Sequence, residues 1–343
     1  MRAALISGRR LLEMQDFPYP ETAPPGAVVV DLILTGVCGS DVAAYRNGEQ
    51  CPPFLSGHEW VGRVAALGEG AVGLSVGDRV VAATPPACGR CDMCTKGHAD
   101  RCREFSALAF GSHPLTPDHG GFAERIVMPA EALVRVHDDL THEQAAMVEP
   151  ATVALHAVRR RSPRLGDVAV VIGAGPVGLF AAQLLRIAGA ARVVVVEPQA
   201  RRRELAAELG ASAAVTPADA GRVVSELTAG LGADLVFDCV GNERALAAAV
   251  ELSRPGGVVM MVGVATGSVA VSPLGWVSKE LSFDTSLAHH SHEFDICMQL
   301  IADGKLRTDV LHDRTIGLDE LDDALSALSD GLDELKVLVD PRR

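Results

Sequence analysis

Hydrophobic and polar positions divide the chain into two parts with different patterns. Up to about residue 140, short apolar runs such as residues 28–34 and 78–83 are separated by Gly, Pro and Asp, which predicts strands joined by turns. Residues 141–144 read Thr-His-Glu-Gln, a capping box that predicts the start of a helix, and residues 151–161 predict a second helix. The first part is therefore predicted to be mostly β-structure that ends in helices.

Strands and helices alternate in the second part of the chain. Four runs predict strands: residues 167–172, 191–196, 233–239 and 257–262, and the last two have the apolar character of buried parallel strands. Residues 175–188 and 201–209 predict helices among them. Because this alternation is typical of a doubly wound parallel sheet, we expect an α/β fold class.

The length of 343 residues fits two domains. After the alternating segment the chain returns to mixed strands and helices, so the first domain is predicted to be discontinuous. We expect residues 1–150 and 287–343 to form the first domain and residues 151–286 to form the second.

Composition and charge narrow the range of partners. Apolar residues make up 48% of the chain and charged residues 22%, which fits a folded globular protein. The net charge of −13 argues against nucleic acid or an anionic membrane as the main partner. The N-terminus lacks an apolar core of signal-peptide length, and glycines and a proline interrupt the longest apolar stretch, residues 168–185. We therefore expect a cytoplasmic protein.

A glycine motif follows the first predicted parallel strand. Gly173, Gly175 and Gly178 form the pattern G-x-G-x-x-G between a strand and a helix. The first glycine allows a tight turn, the second lets a pyrophosphate approach the backbone, and the third allows close helix packing. Free N–H groups at the helix start can then bind the phosphates. This arrangement predicts a Rossmann dinucleotide site.

The end of the next strand indicates which dinucleotide binds. Glu197 lies where a carboxylate can hold both ribose hydroxyls, and its charge repels a 2′-phosphate. Residues 201–203 are three arginines that could instead pair with such a phosphate, or stay solvated with Arg202 near the adenine. Because the carboxylate is the more direct contact, NAD is favoured over NADP.

Four cysteines occur close together in a lobe of about residues 86–104: Cys88, Cys91, Cys94 and Cys102. Their spacing suits four thiolates around one zinc ion in a closed site that fixes a loop. An iron–sulfur cluster is the competing interpretation. The gap of seven residues before the fourth cysteine, with no proline after it, disfavours that cluster.

The order of motifs resembles the zinc-dependent medium-chain dehydrogenase/reductase family, including the alcohol, sorbitol and threonine dehydrogenases. Beside the cysteine lobe and the glycine motif, the matching segments are residues 57–68, 77–80, 149–150 and 254–257. The resemblance covers nearly the whole chain. It implies a GroES-like β-barrel catalytic domain, a Rossmann NAD-binding domain, and a homodimer or homotetramer in which residues 268–272 could form a pairing edge strand.

The resemblance implies a second, catalytic zinc ion, so that each chain binds two. Cys38 and His58 correspond to its ligands, and the third protein ligand comes from the position of Glu149, where many alcohol dehydrogenases have a cysteine. Glu59 corresponds to a residue that can enter or leave the coordination shell. Whether Glu149 or Glu59 supplies the third ligand stays open at this point.

The same resemblance implies roles for the residues around this zinc ion. Ser40 corresponds to the hydroxyl that takes the alcohol proton, and Asp41 to a carboxylate that orients the histidine ligand. Related polyol enzymes often have a relay histidine where this chain has Ala43, so the relay either ends at the cofactor ribose and water or uses another group.

The resemblance also implies where the nicotinamide ring binds. Val177 corresponds to the residue packed behind the ring, while Val262 and Val264 belong to the segment whose backbone bonds its amide.

The expected reaction is zinc-dependent, NAD-linked interconversion of a secondary alcohol and its ketone. A zinc ion with an open position lowers the pKa of a bound alcohol, which prepares it for hydride transfer. Aromatic residues at Tyr45, Phe54, Phe105 and Phe110 among polar groups favour a polyol, cyclitol or aminocyclitol as the small-molecule substrate. The alternatives are an NADPH-dependent ketone reductase and a non-catalytic zinc- or nucleotide-binding relative.

Overall fold

The computed structural model describes residues 1–48, 52–84, 87–104, 107, 111, 113–264 and 267–343. Contacts between Cα atoms divide the chain into two compact units. The first unit contains Met1–Glu149, His290–Asp303 and Leu311–Arg343, and the second contains Pro150–His289 and Gly304–Val310.

The strands are numbered along the chain. They are β1 (Arg2–Gly8), β2 (Leu11–Asp16), β3 (Ala27–Gly36), β4 (Glu59–Leu67), β5 (Arg79–Ala82), β6 (Arg125–Pro129), β7 (Leu133–Arg135), β8 (Val168–Ile172), β9 (Arg192–Val196), β10 (Ala213–Val215), β11 (Ala233–Asp238), β12 (Ser253–Met261), β13 (Ser282–Thr285), β14 (His312–Gly317) and β15 (Lys336–Asp340).

The α-helices of the described residues vary from one turn to more than three. They span Gly39–Asn47, Asp92–Thr95, His142–Ala146, Val148–Arg160, Pro176–Ile187, Ala200–Glu208, Pro217–Leu227, Glu243–Leu252, Pro273–Ser278, Ser291–Ala302 and Leu321–Ser329. Where the structure describes the chain, none of these helices combines the length and the apolar character needed to cross a membrane.

In the first unit, β3 is the strand around which the others are arranged. It pairs with β4, β6 and β15, and the sheet runs in the order β14-β15-β3-β4-β5-β7. The first six residues of β3 are all apolar but one, and most of the strand is buried. The pairing places Gly36 at the end of β3 opposite Glu59 at the start of β4, and opposite Leu338 of β15. Three strand ends therefore meet beside residues 37–38.

In the second unit, six strands form a parallel sheet in the order β10-β9-β8-β11-β12-β13. All five residues of β8 are buried, as expected for a strand with helices on both faces. The direction of strand succession reverses between β8 and β11. In open sheets of this kind, ligands bind outside the carboxyl ends of the strands at this reversal. The predicted doubly wound sheet is confirmed.

Some predicted boundaries were wrong. The helix expected at residues 151–161 begins at Val148, so Glu149 and Pro150 lie in its first turn. Proline is tolerated there because the first N–H groups of a helix have no partner within the helix. Residues 268–272, expected as an edge strand, carry no strand, and β13 is the edge beyond β12 among the described residues.

Residues 304–310 belong to the second unit, although the sequence placed them with the first. Gln183 explains this difference. Its side-chain carbonyl accepts the N–H of Arg307 at 2.8 Å, and its amide donates to the carbonyl of Arg307 at 3.1 Å. The buried glutamine thus holds this segment against the helix Pro176–Ile187 by a pair of hydrogen bonds that sequence periodicity does not reveal.

Candidate functional site

Asp41 holds together the two turns that carry Cys38 and His58. Cys38 precedes the helix Gly39–Asn47, and the Asp41 carboxylate accepts its backbone N–H at 2.9 Å. The other carboxylate oxygen accepts the N–H of Gly57 at 3.1 Å, one residue before His58. Burial raises the pKa of Asp41, while His58 and these two backbone donors oppose the rise.

The prediction that Asp41 orients the histidine ring was wrong. The Nδ1 atom of His58 lies 2.8 Å from the carbonyl of Leu55, and because a carbonyl can only accept, this nitrogen carries the hydrogen. The Nε2 atom is then left with its lone pair, the form that a metal ligand needs. Asp41 acts on the backbone of both ligand-bearing turns, and Leu55 fixes the imidazole.

Cys38, His58 and Glu59 form a group of converging donors. One ligand atom from each lies within 4.8 Å of the others. Among the described residues, Glu149 is outside this group, although its charge acts on His58. The structure therefore places Glu59, the residue that sequence reasoning gave the lesser role, beside the two other candidate ligands.

The charges around His58 suit a divalent cation. Burial lowers the pKa of the imidazole, but the negative charges of Cys38, Glu149 and Asp41 outweigh it and hold this pKa well above its usual value. Sulfur, imidazole and carboxylate donors that converge, two of them on half-buried residues and one on the buried Glu59, form a three-ligand set typical of catalytic zinc. The residues present therefore fit the expected metal.

Lys336 is the residue of this site that sequence reasoning missed. It begins β15, its side chain is 2% exposed, and its ammonium group contacts the Glu59 carboxylate and donates to the carbonyl of Val37 at 3.0 Å. Gly36 makes room for this arrangement, because a Cβ atom there would lie 2.6 Å from a Glu59 carboxylate oxygen. A single lysine inside the apolar run of residues 335–339 was the signal that could have revealed it.

Ser40 and Ala43 lie on the helix that follows Cys38. Ser40 is exposed in the first turn, and Ala43 is half-buried one turn further along. A hydroxyl in the first turn of this helix is thus open to solvent, two residues from the candidate metal ligand.

The cysteine lobe forms a second group of donors. The sulfur atoms of Cys88, Cys91, Cys94 and Cys102 all lie within 4.8 Å of one another. Backbone N–H groups lower the pKa of Cys91 to about 6, whereas burial and the neighbouring sulfurs raise that of Cys94 to about 12. Four thiolates this close repel one another unless a cation compensates them, so the lobe fits a closed four-sulfur zinc site.

The glycine motif has the geometry that its pattern predicts. Gly173 has a φ of 94°, which favours glycine, and a Cβ atom on Gly178 would lie 2.0 Å from the Gly173 carbonyl oxygen. The space beside Gly175 is open, since a Cβ atom there would meet nothing within 4 Å. The helix starts at Pro176 without a side-chain cap, so its first N–H groups can receive an anion.

Glu197 directly follows β9 and is fixed by backbone donors. One carboxylate oxygen accepts the N–H of Ala174, inside the glycine turn, at 2.8 Å, and the other accepts the N–H of Gln199 at 2.9 Å. Arg203 donates to the carbonyls of Glu197 and Pro198, so one of the three arginines stabilises the turn itself. Each carboxylate oxygen retains a lone pair for a ribose hydroxyl.

The remaining predicted cofactor residues lie on the same unit. Val177 is half-buried in the first turn of the helix Pro176–Ile187, and Arg202 is half-buried on the helix Ala200–Glu208. Val262 directly follows β12 and is buried, whereas Val264 is 71% exposed.

The structure places the aromatic residues that were predicted to line the substrate pocket in different environments. Tyr45 is buried, and its hydroxyl donates to Asp322 at 2.9 Å, so its expected place beside the substrate was wrong. Phe54 is half-buried and faces Gly111, where a Cβ atom would lie 2.6 Å from the ring. Phe105 and Phe110 lie outside the described residues.

Comparisons with known proteins agree with zinc and dinucleotide sites in this chain. A family model described as a zinc-binding dehydrogenase matches residues 176–303, and one described as an alcohol dehydrogenase GroES-like domain matches residues 24–138. A protein named "Probable D-xylulose reductase A" from Neosartorya fischeri is 31% identical over 337 residues, which is 95% of this chain and 92% of that protein.

Solved structures give the same result. The alcohol dehydrogenase from Thermus sp. ATN1 is 30% identical with a TM-score of 0.85, and the match covers 99% of each chain. The 2R,3R-butanediol dehydrogenase from Bacillus subtilis is 29% identical with a TM-score of 0.83, again over 99% of each chain.

Replacing Lys336 tests the buried ion pair behind the metal ligands. Lys336→Met leaves the Glu59 carboxylate without its cation, and we expect the free energy of unfolding to fall by about 3–5 kcal/mol. Glu59→Gln added to this variant removes the uncompensated charge and restores much of the loss. Denaturant unfolding of the metal-free protein measures both effects, because no metal ion then compensates the Glu59 charge, with the exposed Lys305→Met as the control. A double variant no more stable than Lys336→Met would contradict the pairing.

Proposed function

The chain belongs to the zinc-dependent medium-chain alcohol and polyol dehydrogenases, and we propose on this basis that it interconverts a polyol-type secondary alcohol and its ketone with NAD. The observation that carries the proposal is the convergence of Cys38, His58 and Glu59 within 4.8 Å. Three protein ligands leave an open coordination position for an alcohol oxygen, as catalytic rather than structural zinc requires.

We assign a role to each unit. The first unit supplies both zinc sites, and the second supplies the dinucleotide site at the carboxyl ends of β8 and β9. Two zinc ions per chain follow from the two donor groups, since the four cysteines close one coordination shell and the other group leaves a position free. Glu59 is the proposed third ligand, and Glu149 adds negative charge nearby.

In the proposed alcohol oxidation, zinc and NAD supply part of the chemistry and side chains of the protein supply the rest. Zinc supplies Lewis-acid polarisation of the alcohol oxygen, and NAD supplies the hydride acceptor. The Ser40 Oγ atom would accept the alcohol proton through a lone pair while it releases its own hydrogen. Because Ser40 is exposed and Ala43 offers no proton acceptor, that hydrogen would pass as a proton to solvent water rather than to a relay side chain.

Buried carboxylate charge supports NAD as the cofactor. Glu197 is 5% exposed and held by two backbone donors, so it cannot swing away from a 2′-phosphate. The negative charges of the Glu197 carboxylate and of a 2′-phosphate bound next to it would repel each other strongly in a buried place. Arg203 is already engaged with backbone carbonyls, so the arginine that lies against this turn stabilises the turn itself.

The relatives support a hydroxylated substrate. Among them are a probable D-xylulose reductase and a 2R,3R-butanediol dehydrogenase, both named after hydroxylated compounds. The net charge of −13 is consistent with a neutral or cationic ligand in preference to an anionic one.

A homo-oligomer is part of the proposal. The helix Pro273–Ser278 exposes Leu274 and Val277, and Leu287 nearby in the sequence is also exposed. Large exposed apolar side chains on one unit are typical of surfaces that a second copy covers. Light scattering of the purified protein would distinguish a monomer from a dimer or tetramer.

A substrate panel with metal removal tests the proposed reaction. Polyols, cyclitols and simple secondary alcohols are incubated with NAD, and absorbance of the reduced nicotinamide is recorded before and after chelation. We expect turnover with at least one polyol, loss of turnover when metal content falls below two per chain, and recovery with zinc. Absence of reduced nicotinamide with every alcohol in the metal-loaded protein would contradict the proposal.

Ser40→Ala tests the proton acceptor. Because a positioned acid–base group typically contributes on the order of a hundredfold, we expect kcat for alcohol oxidation near neutral pH to fall by about that factor. Ser75→Ala, at another exposed serine of the same unit, is the control. A decrease of well under about tenfold would remove Ser40 from the mechanism.

Substitution of Glu197 tests cofactor choice. Glu197→Gln keeps an acceptor for the backbone donors but removes the charge, and Glu197→Ser also removes bulk. Both are expected to shift the ratio of kcat/KM for NAD and NADP toward NADP, because repulsion of the 2′-phosphate is lost. The exposed Glu204→Ser is the matched control on the following helix. If the ratio stays constant in both Glu197 variants, as it should in the control, Glu197 does not select the cofactor.

A further inference from the structure

A cavity of about 530 Å³ in the second unit has no role in the reaction described above. Its lining comes from the ends of the helices Pro176–Ile187 and Ala200–Glu208 and from residues 304–307. All three segments belong to the same unit. The volume lies within the range of sites that bind small molecules.

The cavity and the glycine motif lie at opposite ends of one helix. The glycine motif leads into the start of the helix Pro176–Ile187, whereas Arg186 and Ile187 at its end line the cavity. A helix of 12 residues is about 18 Å long, so a small ligand in the cavity does not reach the phosphate-binding turn. The cavity is therefore separate from the dinucleotide site.

The guanidinium of Arg186 is held in place at the cavity. Its Nη1 atom donates to the carbonyl of Leu209 at 3.0 Å. The group also lies against Gly210, where a Cβ atom would be 2.0 Å from Nη1. Gly210 has a φ of 88°, which independently favours glycine. The backbone thus leaves room for the guanidinium and fixes its position before any ligand binds.

Most of the donors of Arg186 are not used by the protein. A guanidinium carries five N–H groups, and the bond to Leu209, which caps the end of the helix Ala200–Glu208, uses one of them. Among the described residues, no carboxylate forms an ion pair with Arg186. Because a guanidinium matches the geometry of phosphate oxygens, the remaining donors suit an oxyanion.

The other charges of the lining favour a ligand with two negative charges. Lys305 adds an ammonium group from the segment 304–307. Arg307 is compensated within the protein, since it pairs with Glu208 at 2.9 Å and with Asp309 at 2.8 Å. Arg186 and Lys305 then contribute two positive charges in a chain whose net charge is −13. A phosphate monoester carries about −1.5 to −2 at neutral pH, which matches this pair of cations.

We propose that this cavity binds a phosphate monoester, whose phosphoryl group is bound by Arg186 and Lys305. The cavity is larger than a phosphate ion, and Ile187 contributes an apolar side chain to its lining, so the organic part of the ester also finds a place. A bound phosphoryl group would join the helix end to the segment 304–307. The buried Gln183 already joins the same two parts through its bonds to the backbone of Arg307. The proposal goes beyond the dehydrogenase reaction and does not depend on it.

Titration with two phosphates tests the site without recourse to turnover. Phenyl phosphate, which has no alcohol to oxidise, and inorganic phosphate are added to the metal-loaded protein saturated with NAD, and binding is followed by phosphorus-31 NMR. Saturation with NAD occupies the phosphate position of the glycine motif. We expect wild type to bind both, with the lower Kd for phenyl phosphate because its ring buries apolar surface.

Arg186→Gln removes the guanidinium that the cavity positions. The Kd for phenyl phosphate should rise about tenfold, the effect of losing a charge-assisted hydrogen bond. Arg186→Lys keeps the charge but not the fork of donors, so its Kd should lie between these values. Arg192→Gln is the matched control, since Arg192 is an exposed arginine of the same unit that also donates to a backbone carbonyl, and it should bind as wild type does.

A second variant keeps the test decisive if the loss of the bond to Leu209 perturbs the fold. Lys305 is exposed, and Lys305→Gln should leave the fold intact while it raises the Kd for phenyl phosphate about threefold. Phenyl phosphate should also raise the Tm of wild type and of Arg192→Gln, and raise that of Lys305→Gln less.

The outcomes separate this inference from the proposed function. Absence of phosphate binding in wild type would overturn the site, as would an unchanged Kd in folded Arg186→Gln and Lys305→Gln. Neither result would affect the dehydrogenase. A wild type that binds phenyl phosphate with the expected dependence on Arg186 and Lys305 but oxidises no alcohol would support the site and contradict the proposed function alone.

Discussion

The compensation of buried negative charge is the constraint on which the first unit depends. Cys38, Glu59 and Asp41 gather around one imidazole, and Glu149 adds to their field. Charges of one sign are stable in a buried place only when cations or hydrogen-bond donors compensate them. Lys336 contributes one positive charge against Glu59. The proposed divalent cation, held by the converging donors, would compensate the rest, and metal binding and folding would then be coupled in this unit.

Strand register brings these charges together from distant parts of the sequence. Pairing of Gly36 with Glu59 sets the end of β3 beside the start of β4, and pairing of Gly36 with Leu338 adds β15. A slip of one residue would turn Glu59 to the other face of the sheet and bring Trp60 in its place. The apolar residues that fix β3 in the core thus also fix the proposed metal ligands.

Sequence patterns predicted those parts of the site whose geometry is local. The glycine motif and the cysteine lobe each bring their own residues together over a few positions, so spacing alone was sufficient. Contacts across the sheet were not predictable in this way, because Lys336 is far from Glu59 along the chain and only the register joins them. The wrong role for Asp41 came from the family resemblance, which does not distinguish a hydrogen bond to the histidine ring from one to the backbone next to it.

The chain contains few lysines, and two of them, Lys279 and Lys336, stand where several acceptors surround one point. This placement indicates that the geometry of the acceptors requires an ammonium group. Lys279 donates to the carbonyls of Val250, Glu251 and Ser253, which end the helix Glu243–Leu252, and Lys336 reaches a carbonyl and a carboxylate inside the core. A compact ammonium group directs three donors to acceptors arranged around a point, whereas the planar guanidinium of arginine directs its donors in a fork. At Lys336 an arginine would also bring added volume into a packed interior, where overpacking is destabilising. The same ammonium geometry that caps a helix in the second unit therefore anchors Glu59, the proposed metal ligand, in the first.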